Sequence, residues 1–172
     1  MKYLMTRTFA YLTDCLIAFT AIMLIFQWGI LSHIWPLIGI TDSWFESSVN
    51  MQLYVLVTIS IPVWIYFAYF DSEKSKGTIG KRLFKLSVED VDGQRITFGR
   101  SMGRTLLKLL PWEMAHVGVI FPAPLYFMDE PEVRMLSYIA IFLFITYVLS
   151  ILVDKRNQSL YDKWLGTFVH SK

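Results

Sequence analysis

Five ionisable side chains stand where the surrounding residues make a charge costly: Arg7 and Asp14 near the start, Glu113 and His116 in a later apolar run, and Asp162 close to the end. Arg7 and Asp14 are seven residues apart, so two helical turns return them to one face with ~10 Å of rise between them. They share a stripe without pairing directly. Arg7 reaches the headgroup level of a bilayer, whereas Asp14 lies deeper, where a carboxylate must find a donor, a counter-charge or a proton. Two chemistries follow for Asp14: an interhelical polar clamp that fixes packing, or a carboxylate that exchanges a proton or cation. Glu113 and His116 are three residues apart and share a helical face. A carboxylate and an imidazole at that spacing pass a proton, line a cation path, or sit as an interfacial pair. Asp162 lies in a polar stretch, Asp154 to Thr167, and suits an acceptor for arginine or backbone donors.

The elements that position these groups must be built in lipid. The chain has 172 residues, 55% of them hydrophobic and 17% charged, with a mean hydropathy of +0.46, more apolar than a soluble surface requires. Four apolar runs are predicted to span a membrane as helices, over residues 8–31, 49–70, 106–128 and 135–153. The third contains Lys108, Pro111, Glu113 and His116, and either crosses with kinks or begins as an interfacial amphipathic helix. Pro62 in the second predicts a kink rather than a break.

Charge sets the sidedness. Residues 71–104 carry eight of the 16 Lys and Arg residues, and of all 16 only Arg134 falls in a segment assigned to the outside. The loop 71–104 and the tail 154–172 are therefore read as cytoplasmic, and Trp28, Trp35 and Trp44 as anchors at the opposite interface. Within the loop, Phe84, Leu86 and Val88 alternate with polar residues, Asp92-Gly93 follows, and Ile96 and Phe98 alternate again, the pattern of a β-hairpin. Gly166 suits a helix end before a short strand, residues 167–170, that joins this hairpin. Leu160, Trp164, Leu165, Phe168 and Val169 make the tail too apolar to hang in water, so it is expected to be ordered.

The reading is an all-α membrane protein of four transmembrane helices in one domain over residues 1–172, both termini inside, with a small cytoplasmic β-hairpin between the second and third spans. Asp14 interrupts the first run, and no small-residue cleavage pattern follows it, so the run is read as a retained helix. Cys15 is a single cysteine, which leaves no intramolecular disulfide and no cysteine metal cage. The sequence has no P-loop, no dinucleotide fingerprint and no G-x-S-x-G, and His33, His116 and His170 fall in separate segments, so neither an enzyme nor a cofactor or metal protein is expected. The basic loop is expected to meet anionic lipid rather than nucleic acid.

Three blocks, residues 7–14 (RTFAYLTD), 77–86 (GTIGKRLFKL) and 162–167 (DKWLGT), together resemble the RDD family of bacterial membrane proteins. That family is named for one arginine and two aspartates, which the resemblance maps to Arg7, Asp14 and Asp162. It implies residence in the bacterial cytoplasmic membrane and transport of a ligand, with cation/proton antiport claimed for some members. The leading expectation is therefore a small transporter in which Asp14 exchanges a proton or cation while Arg7 and Asp162 form an inner lock. Four short spans make a thin wall, so a homo-oligomer is expected. The rival expectation is a non-transporting accessory or assembly subunit, whose buried charges fix its fold while its loop and tail bind a partner membrane protein.

Overall fold

The computed structural model describes residues 2–171. Three helices are long and apolar enough to cross a membrane: α1 (Tyr3–Ile38), α2 (Ser48–Asp71) and, after intervening elements, α5 (Met135–Val153). At most 22% of the most apolar stretch of any of them is buried within the protein, which leaves Leu16, Leu24, Ile25, Val57, Phe142 and Leu149 facing outward. Helices satisfy their own backbone, so these apolar faces suit lipid without leaving amide groups unpaired.

The ladder is not uniform. Residues Thr20–Leu31 of α1 and Leu56–Ser60 of α2 have π-helical hydrogen bonding. The widened turn in α2 comes just before Pro62, whose ring would otherwise press on a carbonyl of the preceding turn, so the helix continues to Asp71 without a break. Gln27 and Thr58 join the two widened stretches, the Gln27 side-chain amide donating to the Thr58 hydroxyl at 2.7 Å.

After α2 come a one-turn helix α3 (Ile79–Leu83), strand β1 (Leu86–Glu89) and the long helix α4 (Phe98–Ile120). Beyond α5 lie a short helix α6 (Leu160–Trp164) and strand β2 (Phe168–Ser171). α4 packs between α2 and α5, whereas α3 packs on α1.

The expected local hairpin is not the main pairing. β1 pairs antiparallel with β2 from the tail, Leu86 opposite Ser171 and Val88 opposite Val169, and the turn through Asp92-Gly93 closes with a lone bridge between Glu89 and Arg95. Leu86, Val88, Ile96 and Val169 cluster with Ala10 of α1, with Tyr3 and Phe84 beside them. The second apolar stretch, Ile96 and Phe98, is diverted: Ile96 completes that cluster, and Phe98 begins α4 once the Thr97 hydroxyl accepts from the Arg100 amide.

The third apolar run also differs from the expected 106–128. α4 starts eight residues earlier, ends at Ile120, and is not among the helices apolar enough to span on composition alone. Its amino-terminal half is amphipathic, with Arg100, Arg104 and Lys108 repeating every four residues on one face. Arg134 holds the far end: its guanidinium donates to the carbonyls of Gly118 and Val119 at 3.3 Å, of Ala123 at 2.6 Å, and of Phe121. A lone arginine in an otherwise acidic turn is thereby accounted for, since it satisfies carbonyls that the helix end leaves without amide partners.

Candidate functional site

The start of α1, the loop 71–97, the start of α4 and the tail meet at one end of the bundle, and the charged residues of all four interlock there. Arg7 donates to Asp162 Oδ2 at 2.8 Å and to the Asn157 carbonyl at 2.8 Å. Arg104 then bridges two carboxylates, meeting Asp162 Oδ1 at 2.8 Å and Asp71 Oδ2 at 3.1 Å. Lys81 completes the row on Asp71, at 2.5 and 2.6 Å from its two oxygens. The result is an alternating chain, Arg7, Asp162, Arg104, Asp71, Lys81, which ties together α1, α6, α4, α2 and α3. Arg104, Asp71 and Asp162 are almost wholly withdrawn from solvent.

Local structure prepares Asp162 for this role. Ser159 caps α6, and the Asp162 carboxylate returns to the Ser159 amide at 3.2 Å and hydroxyl at 3.0 Å, a capping box made with aspartate. The Thr167 hydroxyl adds a donor at 3.2 Å. Burial alone would raise the Asp162 carboxyl, but the Arg104 and Arg7 guanidinium groups beside it prevail and hold it well below the usual carboxylate range.

Asp14 lies apart from this chain of charges, and its donors are neutral. The Thr78 hydroxyl donates to Oδ2 at 2.6 Å; the Gly80 amide and Tyr66 hydroxyl donate to Oδ1 at 2.8 and 3.0 Å. Gly80 makes this approach feasible, because a Cβ there would lie 2.1 Å from the Ala10 carbonyl oxygen. Asp14 thus fastens α3 and α2 to α1.

The sequence therefore singled out Arg7, Asp14 and Asp162, and the structure brings Arg7 and Asp162 into contact while holding Asp14 on other partners. Glu113 and His116 are a separate pair on α4, 3.7 Å apart, with the Ser60 hydroxyl at 2.9 Å and the Trp64 indole at 3.2 Å donating to Glu113. Nine residues separate Glu113 from Arg104, about 13 Å along the helix, so this pair does not join the charge chain. Asp71, Lys81, Arg104 and Lys108 were missed. The signal for two of them was present, in the four-residue repeat of Arg100, Arg104 and Lys108.

The basic loop divides into two sets. Arg95 donates to the carbonyls of Phe70, Ser72 and Ser75 at 2.7–3.2 Å, and Arg100 to those of Leu165 and Gly166 at 2.7 and 2.8 Å. Lys74, Lys76, Arg82 and Lys85 remain exposed.

Beside the charge chain lies a cavity of about 360 Å³, bounded by α1, α4, α5 and the short elements of the loop and tail. Asp14, Arg7, Lys81, Arg104 and Lys108 reach its wall, and the rest is mostly aromatic and aliphatic. Lys108 has ring faces for neighbours, its Nζ 3.4 Å from the Phe67 centroid and 5.5 Å from that of Tyr11.

Fold and site together define a helical membrane protein whose loop and tail are locked to its bundle by alternating buried charges. The chain belongs to the RDD family, whose sequence model matches residues 2–166. It is also similar to protein YxaI of Bacillus subtilis (strain 168), itself described as uncharacterized, with 28% identity over 69 residues. That stretch is 40% of this chain and 44% of YxaI, so the match spans less than half of either. No solved structure matches the chain.

Proposed function

We propose that this chain is a small transporter of the bacterial cytoplasmic membrane, which moves an ion or small solute through its bundle and exchanges a proton or cation at Asp14. The observation that carries this reading is the position of Asp14. It is the one carboxylate among the residues lining the cavity, and its donors are neutral, whereas Asp71 and Asp162 are locked to cations. Asp14 therefore stands in the cavity wall with no fixed cation paired to it, which leaves its carboxylate open to an incoming cation or proton. In this reading α4 is the fourth crossing segment, both termini face the cytoplasm, and Lys74, Lys76, Arg82 and Lys85 rest against anionic headgroups.

The test is proton flux in proteoliposomes containing a trapped pH-sensitive dye, driven by sodium or potassium gradients. Flux well above that of protein-free vesicles, and lost in Asp14→Asn with the variant still folded, is the expected result. Flux that persists unchanged in Asp14→Asn removes Asp14 from the mechanism. Purified protein that moves nothing under any gradient favours the accessory-subunit reading instead.

A further inference from the structure

The charge balance around the cavity is uneven. Four cations, Arg7, Lys81, Arg104 and Lys108, face three carboxylates, Asp14, Asp71 and Asp162, and so with every group ionised one positive charge is left over. The surplus belongs to the cluster as a whole, since its ion-paired chain has three cations to two carboxylates, but the pairs leave one cation without a direct carboxylate contact. Arg7, Arg104 and Lys81 each hold a carboxylate at 2.5–3.1 Å. Lys108 holds none: no Asp or Glu among the described residues comes within 4.0 Å of its ammonium, which sits over Phe67 and beside Tyr11. Ring faces stabilise a cation by much less than a buried ammonium loses on leaving water. An ammonium so placed feels Asp71 and Asp14 only from beyond ion-pair distance, and the cavity at its side has room for an anion in direct contact.

The rest of the wall indicates what carries that charge. Leu4, Phe144, Val148 and Ile151 of α1 and α5 line the cavity, while Trp112 and Tyr147 add aromatic surface. A small hydrated inorganic anion would leave this apolar lining uncovered; an anion with an aliphatic tail would cover it.

We propose that the cavity binds a monoanionic amphiphile, its acidic head paired with Lys108 and its tail against the apolar residues of α1 and α5. This rests on the proposed transport reading, in which the solute passes the cavity that Asp14 lines, and names its ligand class. A free fatty carboxylate and the phosphodiester head of an acidic phospholipid share the required chemistry.

Binding is measured on the full chain in neutral maltoside detergent, by native mass spectrometry and by ligand-induced rise in melting temperature. The probes are decanoate, phosphatidylglycerol, and uncharged decanol and zwitterionic phosphatidylethanolamine as controls. Saturable binding of decanoate or phosphatidylglycerol, with neither control competing, is expected, and the probe that binds tells a free acid from a membrane lipid. Lys108→Met should weaken it about tenfold or more, and Lys108→Arg should retain most of it. Should Lys108→Met fail to fold, Val148→Trp, which keeps every charge and fills the cavity, should abolish binding. Decanol binding as well as decanoate, or undiminished binding in Lys108→Met or Val148→Trp, overturns the assignment. No binding of either anion to the native chain overturns it too. Because binding needs no bilayer, its failure alongside intact proton flux sinks the ligand class alone, and its success without flux sinks transport alone.

Discussion

Arg104→Met is the substitution that tests the charge chain most directly. The side chain is 2% exposed and touches two carboxylates that are themselves 0% exposed, so solvent does little to screen the loss. Removing one member of a buried ionic group destabilises by roughly 3–5 kcal/mol, because it strands the opposite charge. Here neither carboxylate is wholly stranded: Asp162 keeps Arg7 at 2.8 Å and Asp71 keeps Lys81 at 2.5 Å. The loss should therefore fall near the lower end, about 3 kcal/mol, or roughly a hundredfold in the folding equilibrium. Methionine fills much of the volume, so a cavity term stays small. The assay is equilibrium unfolding in detergent or bicelles, read together with the double mutant Arg104→Met with Asp162→Asn. Removing both partners should cost less than the sum of the single losses, because the second change takes away an acceptor already short of its cation. A loss below about 1 kcal/mol for Arg104→Met, or strict additivity in the cycle, would refute the claim that these groups act as one unit.

Two further outcomes follow from the same geometry. The Asp162 carboxyl titrates lower in the folded protein than in the unfolded chain, so the stability it contributes is complete above the ordinary value of about 3.9 and is lost as pH falls through the depressed folded value. Acid unfolding should accordingly show a shallower dependence in Asp162→Asn than in the native chain, and identical acid limbs would refute the assignment. Gly80→Ala places a Cβ 2.1 Å from the Ala10 carbonyl oxygen and should destabilise by about 1–3 kcal/mol as α3 is pushed from α1, lengthening the Asp14 bonds. A melting temperature equal to that of the native chain would show that the approach is looser than described.

Three of the apolar runs were readable because lipid demands one property repeated over a whole helix, and α5, with no charged residue, matches its predicted bounds of 135–153 residue for residue. The third run was misjudged at both ends because α4 does not follow that rule. Its first half answers to a polar neighbour rather than to lipid, in line with the amphipathic start that was one of the two expected alternatives, but Arg100 and Arg104 belong to the helix and not to the loop. The strand pairing was legible in part: the tail strand joins as expected, while the local hairpin shrinks to a single bridge. Alternation in residues 84–98 marks an extended edge but does not name its partner, and Val169 from the tail offers β1 a match that also buries Ala10 and Ile96.

The charge chain was legible only in part because its links are remote, Arg7 lying 155 positions from Asp162 and Asp71 33 positions from Arg104. What the sequence does enforce is a count. Each charge placed beside an apolar bundle demands an opposite one, and of the cations lining the cavity Lys108 is the one that rests on ring faces rather than on a carboxylate. The charges that close the fold are satisfied by one another, which holds the loop and tail in place whether or not anything is bound. Asp14 with its neutral donors and Lys108 over its rings stand outside that chain, so a change at either leaves its ion pairs in place. Arg104→Met should damage folding first, whereas Lys108→Met should leave a folded protein with an altered cavity.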